Sequence, residues 1–336
     1  MLFRSYLYTY GFRESSRAGD VIVSPTPVTT VYHRPIERVL FDQRRDANPF
    51  FHLIEAVWML AGRRDATFLD RYVRDFSSRF AEDDGDAHGA YGARWRCHFP
   101  NPHHTGHEDS NAPALLDQLL EVGQMLYDDP TSRRVVLSMW DPLADLGASK
   151  ADLPCNTHVY FRGNPRTETL DVTVCNRSND IVWGAYGANA VHMSVMAEVV
   201  AGLAGLRLGA YYQISNNYHA YTSVFDKLSS VPVSYDDRYT KIRARPILDM
   251  NLSGQVRSRW AKRFLDDCVN FCVYMGHADD SWARTSWMRE VVIPVERTHR
   301  LWRTGDREGA IEMSKTILAD DWRIACQEWM SRRMVG

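Results

Sequence analysis

The octapeptide Leu153-Pro154-Cys155-Asn156-Thr157-His158-Val159-Tyr160 places a cysteine at the mouth of a strand. A strand-like run, His158 to Phe161, follows the cysteine. A second run, Thr169 to Cys175, opens into Asn176-Arg177-Ser178-Asn179-Asp180. Short β-branched and aromatic runs bounded by Gly, Pro and Asn read as strands. A cysteine beside an Arg-Ser pair on the adjacent strand predicts a thiolate next to an anion site, because a neighbouring cation favours the nucleophilic form. A lone cysteine is more often a small buried core residue. The residues around it decide between the two.

Upstream, residues 48–62 predict a helix on which Phe51, Ile54, Trp58 and Ala61 share a stripe. Glu55 falls within that stripe, where a carboxylate is costly unless it is paired or functional. A second helix is expected over 66–80, and an amphipathic one over 114–127 with Leu115, Leu119, Val122 and Leu126 on one face. Arg133-Arg134-Val-Val-Leu-Ser-Met-Trp140 reads as a strand opening on two arginines, which alternation sends to opposite sides. Near the N-terminus, Glu14 to Asp20 reads as a polar loop before the strand-like Val21-Ile-Val and Val28 to Tyr32. Downstream, 190–204 predict a helix striped by Val191, Val195, Val199 and Leu203. The strand Tyr211 to Ser215 then leads to His219-Ala-Tyr221. Beyond 225 the chain reads as helical, over 264–274 and again within 302–329.

With 336 residues, no internal repeat and no Pro/Gly/Ser-rich linker, a single domain over 1–336 is expected. A formal charge of −2 with interspersed signs argues against coating a nucleic acid, and no apolar run reaches the roughly 20 residues of a membrane span. The six cysteines are scattered with no CxxC pair; with no signal peptide apparent, reduced thiols and a cytoplasmic location are expected. Cys97, His98, His103, His104, His107, Glu108 and Asp109 cluster, but around prolines and without a zinc spacing, so no metal is expected.

An ordered set of short motifs runs through these elements. They are Tyr91-Gly92-x-x-Trp95-Arg96, Asp129-Pro130-Thr131-Ser132-Arg133-Arg134-Val135-Val136, Pro154-Cys155, Arg177-Ser178-x-Asp180, Gly184, Asn189 and His219-x-Tyr221. Each is weak alone. In this order and at this spacing they resemble the folate-dependent thymidylate synthase family, which includes the pyrimidine-nucleotide 5-hydroxymethylases. The likeness is clearest from Arg17 to Tyr221 and fades over 225–336. It implies an α+β fold built on a large mixed sheet with packed helices, and a homodimer joined sheet to sheet.

The resemblance also implies a site. Cys155 would be the nucleophile, with Glu55, Asn156 and Tyr91 beside it. Arg17, Arg177 and Ser178 would hold the phosphate of a pyrimidine nucleoside monophosphate, joined by Arg133 and Arg134 from the partner subunit. His219 and Tyr221 would bond the sugar hydroxyl, and Asn189 would read the base. Counting from Asp180 puts the base-reading position on Ala188 and counting back from His219 puts it on Asn189; one inserted residue near Gly187 reconciles the two, with helix capping as Asn189's rival role. Asp180 would hold the pterin of 5,10-methylenetetrahydrofolate, the expected co-substrate, with Trp58, Ser77 and Phe80 lining its pocket.

Three departures point to water rather than hydride as the final acceptor partner, and so to hydroxymethylation: Ser77 and Phe80 stand where the family has tryptophans, Asn156 where it has histidine, and 177–180 read Arg-Ser-Asn-Asp. Asn217 replaces the aspartate usual before His219, and Val335 is the candidate for the apolar terminus that closes over folate. The expected reaction is 5-hydroxymethylation of dUMP, with dCMP as the alternative base. Methylation of dUMP and a catalytically silent nucleotide- or RNA-binding role are the competing readings.

Overall fold

A computed structural model describes residues 2–101, 114–229, 237–249 and 251–334. Seven strands make one sheet: β1 (Phe12–Ser16), β2 (Gly19–Val23), β3 (Val28–Tyr32), β4 (Val136–Ser138), β5 (Asn156–Asn164), β6 (Thr169–Asp180) and β7 (Arg207–Tyr221). Their order is β1-β2-β7-β6-β5-β4, with β3 also pairing β7. β6 and β7 are parallel and every other pair is antiparallel. The helices before the sheet's centre are α1 (Leu2–Tyr10), α2 (Pro49–Leu60), α3 (Phe76–Phe80), α4 (Tyr91–Arg96), α5 (Gln118–Asp128) and α6 (Pro142–Asp145). Those after it are α7 (Ala188–Leu203), α8 (Thr222–Ser229), α9 (Gly254–Tyr274), α10 (Ile293–Thr304), α11 (Arg307–Ser314) and α12 (Asp320–Arg332). The mixed sheet with packed helices agrees with the expected architecture.

Alternation gives the sheet two faces. Val159, Phe161, Leu170, Val172, Val174 and Tyr211 point to the buried side, where α2, α5, α7 and α9 form the main core. Val31, Val136, Tyr160 and Ile214 lie on the sheet yet are more than a third exposed. α7 links the parallel strands and is buried from Val191 to Leu203 on every side rather than along one stripe, as a central helix requires. Its Glu198 is tolerated there because Arg38 pairs with it and the Ile247 and Leu248 amides donate to it at 2.6 and 3.2 Å.

Several element boundaries differ from expectation. Glu14 to Asp20 is a β1–β2 hairpin, not a loop: Ser16 pairs with Gly19, whose φ of +123° closes a two-residue turn with Arg17 at its tip. The helix expected over 66–80 is broken, with a 3₁₀ segment at Ala66–Arg71 and α3 at Phe76–Phe80. Asp75 between them takes a left-handed φ of +59°, which a short polar side chain accepts. β4 is only three residues long, so Arg133 and Arg134 precede it. β6 and β7 run on to Asp180 and Tyr221 because they pair with each other to the end, Ser178 opposite Asn217 and Asp180 opposite His219. No helix among the described residues is long and apolar enough to cross a membrane.

Candidate active site

The carboxyl ends of parallel strands are where open sheets form crevices. Here the ends of β6 and β7, the start of β5 and the first turn of α7 surround a cavity of about 420 Å³. Cys155, Glu55, Tyr91, Trp58, Phe80, Ser178, Asp180, Asn189, His219 and Tyr221 all line it. These ten predicted residues are distant in sequence, and β6–β7 pairing and α2–α7 packing bring them together.

The thiol wall rests on backbone hydrogen bonds. The amides of Cys155 and Asn156 donate to the Tyr91 hydroxyl oxygen at 3.1 and 3.2 Å, leaving the phenolic proton free to donate elsewhere. Arg177 is clamped beside the cysteine: Nε donates to Pro154 O at 2.9 Å and Nη2 to Leu153 O at 3.0 Å, with Nη2 3.8 Å from Sγ. Arg17 reaches from the hairpin tip to the carbonyls of Lys150 and Ala151 at 3.3 and 2.9 Å. Burial pushes the Cys155 thiol above its ordinary pKa, and the nearby Asp152 carboxylate adds to it; Arg177 and Arg17 offset only part of this. The expected thiolate is therefore not favoured in the free protein: desolvation raises the Cys155 pKa by more than two near-surface cations lower it.

On the floor, Glu55 of α2 is 8% exposed. Its Oε2 stands 3.0 Å from His192 Nε2 of α7. Neither atom makes a hydrogen bond, so the approach is close but not aligned. Asp180 marks the opposite wall. Its Oδ1 accepts the Val182 and Trp183 amides at 2.7 and 2.5 Å, while Oδ2 is buried without a partner. Burial raises its pKa despite His219 alongside. His219 Nδ1 lies 2.9 Å from Asn217 Oδ1, so the asparagine orients the ring without the charge an aspartate would bring.

Asn189, not Ala188, faces the cavity. A wide turn at Ile181–Ala185, closed by Tyr186 N donating to Ile181 O at 3.0 Å, leads through Gly187 into α7. Gly184 in that turn has no room for a side chain: a Cβ would sit 2.1 Å from Asn179 Oδ1 and 3.2 Å from Asn189 Nδ2.

Four predicted residues stand elsewhere. Ser77 is turned from the cavity, its hydroxyl donating to Asp70 at 2.6 Å and its amide at 2.8 Å; α3 instead presents Phe76 and Phe80, with rings 4.9 Å apart. Asn156 is fully buried on the far side of β5 from Cys155, where strand alternation sends it, and the Asn176 amide donates to it. Arg133 and Arg134 are exposed and, among the described residues, take part in no ion pair and line no part of the cavity. Of the histidine-rich loop, Cys97 and His98 are described, and His98 pairs with Asp141 at 2.7 Å. His103, His104, His107, Glu108, Asp109 and Val335 lie outside the described residues. No group of three His, Cys, Asp or Glu among the described residues is arranged to hold a metal.

The thymidylate synthase family model matches residues 47–257, which hold every cavity-lining residue named above. The chain belongs to this family. Three curated relatives are similar to it. A deoxyuridylate hydroxymethyltransferase of Pseudomonas phage M6 is 39% identical over 336 residues, spanning 96% of this chain and 88% of that protein. One of Bacillus phage SP01 is 37% identical over 204 residues, 60% of this chain and 51% of that protein. A thymidylate synthase of Haloferax volcanii is 30% identical over 176 residues, 50% of this chain and 49% of that protein. The family and the class of enzyme, a transferase of one-carbon groups, are as expected, and the hydroxymethylase branch is the nearer likeness.

Within this thymidylate synthase fold, some site residues have no mark in the sequence. Asp152, Phe76 and Trp183 line the cavity and carry no motif of their own, nor does His192 behind it. Asp152 is the most accessible to inference, as a carboxylate three residues before the cysteine; it is half-buried, desolvation raises its pKa, and it accepts Gly89 N at 3.1 Å. Arg45 is the least accessible: its guanidinium lies 4.6 Å over the Trp183 ring, with Nε and Nη2 unpartnered.

Proposed function

We propose that this protein transfers a one-carbon unit from 5,10-methylenetetrahydrofolate to C5 of deoxyuridylate and completes it with water, giving the 5-hydroxymethyl nucleotide. The observation that carries the reading is the convergence of Cys155, Tyr91, Glu55 and Asn189 in one cavity, in a chain that is 39% identical over 96% of its length to a deoxyuridylate hydroxymethyltransferase. The whole chain serves as a single catalytic domain.

Cys155 adds to C6 of the pyrimidine and makes C5 nucleophilic, which divides one hard step into easier ones. The Cys155 proton leaves as substrate binds, and the Tyr91 hydroxyl, accepting the Cys155 and Asn156 amides at 3.1 and 3.2 Å, fixes the backbone that carries the sulfur. Arg177, Arg17 and Ser178 receive the phosphate; both guanidinium groups are already held by carbonyls, so little side-chain freedom remains to be lost. His219 and Tyr221 bond the sugar hydroxyl. Asn189 donates to O4 and accepts from N3–H of uracil, with space opened by Gly184. The residues fit the folate co-substrate. Asp180 offers an unpartnered, buried Oδ2 for the pterin, and Trp58, Phe80 and Trp183 provide an aromatic surround. When bound, the folate supplies the methylene carbon.

The protein acts as a homodimer through the outer face of its sheet, where Val31, Val136, Tyr160 and Ile214 are exposed. This brings Arg133 and Arg134 of each subunit to the phosphate site of the other. Incubation of the purified protein with methylenetetrahydrofolate and either dUMP or dCMP, with mass spectrometry of the nucleotide, tests the reading. The expected product is 5-hydroxymethyl-dUMP, with dUMP preferred. Thymidylate formed in step with dihydrofolate would overturn it in favour of the methylating alternative, and no product with either nucleotide would favour a silent binding role.

A further inference from the structure

His192 belongs to no motif and does not line the cavity, yet it is the residue directly behind Glu55. It sits one helical turn after Asn189 on α7 and is 2% exposed. Its Nε2 approaches Glu55 Oε2 to 3.0 Å, and both its ring nitrogens and that oxygen lack hydrogen-bond partners. Three unpartnered polar atoms this deeply buried are costly unless they serve a purpose. The second imidazole of the cluster, His52, packs edge-on at 6.4 Å between ring centres. Burial, with His192 and Arg45 adding to it, drives the His52 pKa down to about 3, so His52 is neutral and does not neutralise Glu55. His192 is thus the side chain that stands directly against the Glu55 carboxylate from behind the cavity.

We propose that His192 is a positioning residue that holds Glu55 as the base for the water step, so that the Glu55–His192 pair directs the reaction to a hydroxymethyl product. This rests on the function proposed above. After the one-carbon unit is transferred, the nucleotide carries an exocyclic methylene at C5 and remains bonded at C6 to Cys155 Sγ. Water oxygen bonds to the methylene carbon while its proton passes to Glu55, with His192 stabilising the carboxyl group. The electron pair of the C5–methylene double bond moves onto the C4 carbonyl as an enolate. It returns to form C5=C6 as the C6–Sγ bond breaks, and the departing thiolate takes the proton from Glu55. Glu55 alone faces the cavity; His192 acts through it.

The test compares the wild type with His192→Phe, which keeps the ring volume without nitrogen, and His192→Asn, which keeps a polar group. Two rates are measured on each: release of tritium from [5-³H]dUMP, which reports attack at C5, and formation of 5-hydroxymethyl-dUMP. In the wild type they agree. Within a single turnover of His192→Phe, formation of 5-hydroxymethyl-dUMP should be about 100-fold slower, the scale of general-base assistance, while tritium release is slowed far less. Added imidazole should restore product formation to His192→Gly. Adduct formation with 5-fluoro-dUMP and methylenetetrahydrofolate, scored by mass, verifies that each variant folds and binds; if His192→Phe does not, His192→Asn carries the comparison. Tritium release and product falling together in a variant that still forms the adduct, or a product rate unchanged in His192→Phe, would overturn the proposal. Thymidylate as the wild-type product would overturn the function it rests on, whatever the variants do.

Discussion

The two walls of the cavity are built in different ways. The thiol wall stands on adjacent strands: Cys155 immediately precedes β5 and accepts the Arg177 amide at 2.9 Å, Ser178 and Asp180 close β6, and His219 lies near the end of β7 opposite Asp180. Even its long side chains, Arg17 and Arg177, are held by backbone carbonyls. The aromatic wall stands on short helical pieces. Phe76 and Phe80 sit on a five-residue helix behind a left-handed Asp75, and Trp183 lies on a wide turn and is 54% exposed. A wall of strand ends tolerates little displacement, whereas a wall of single turns can change its side chains without disturbing the sheet. On the first wall the strand ends carry Cys155, Ser178, Asp180 and His219; on the second, Phe80 stands where the resemblance leads one to expect a tryptophan.

If the thiol wall is the chemical one and is completed across a dimer, the largest effects should arise there. Cys155→Ala and Arg134→Ala homodimers should each lose activity by on the order of 10³-fold or more. Mixing them should restore part of it, through hybrid sites carrying neither lesion. Absence of complementation, with subunit exchange verified, would place Arg134 in its own subunit's site or in a purely structural role.

Arg177→Ala should have the next largest effect. It removes a charged bond to the phosphate, worth about 1.5–3 kcal/mol, so KM for dUMP should rise by roughly 10- to 150-fold. It should also change the thiol. Burial raises the folded-state pKa of Cys155 and Arg177 opposes that rise, so without Arg177 the midpoint moves further up. Alkylation of Cys155 by iodoacetamide should therefore need a higher pH in the variant, while Asp152 and Arg17 continue to act on it in opposite senses. A midpoint that stays or falls would remove Arg177 from the electrostatics of the thiol. The raised pKa also bears on stability. The native state holds the Cys155 proton at pH values where the unfolded chain has lost it, so this stabilisation is complete below the ordinary thiol range and is lost as pH rises through the folded value.

The smallest effects should separate residues on the aromatic wall itself. Phe80→Ala should weaken methylenetetrahydrofolate binding about tenfold, read as KM, by removing a ring from the cavity. Ser77→Ala should change that KM less than about twofold and lower stability by about 1 kcal/mol through its lost bond to Asp70, read by denaturant unfolding. Equal effects on folate KM would return Ser77 to the pocket.

Much of the thiol wall is legible in the sequence. Cys155, Arg177, Ser178, Asp180 and His219 sit in short motifs because each is positioned by the strand that carries it, and a strand's residue types are written locally. Glu55 is legible for another reason: a carboxylate within an apolar helix stripe announces a cost that some partner or task must offset. Asn189 is legible over Ala188 because alanine offers no group to read a base edge, and it is Asn189 that lines the cavity.

By itself the sequence carried the family and, through resemblance to it, the fold class, the candidate nucleophile and the candidate anion-binding residues, because ordered short motifs are written locally. Only the tertiary structure decided that Ser77 faces Asp70 while Phe76 faces the cavity, that Asn156 is buried away from the site, that desolvation raises the Cys155 pKa, and that His192 stands behind Glu55. Each of these depends on which side of an element meets which neighbour and on how much water that contact removes. Both are set by packing between segments more than 100 residues apart in the case of Glu55 and His192, and a one-dimensional pattern does not encode them.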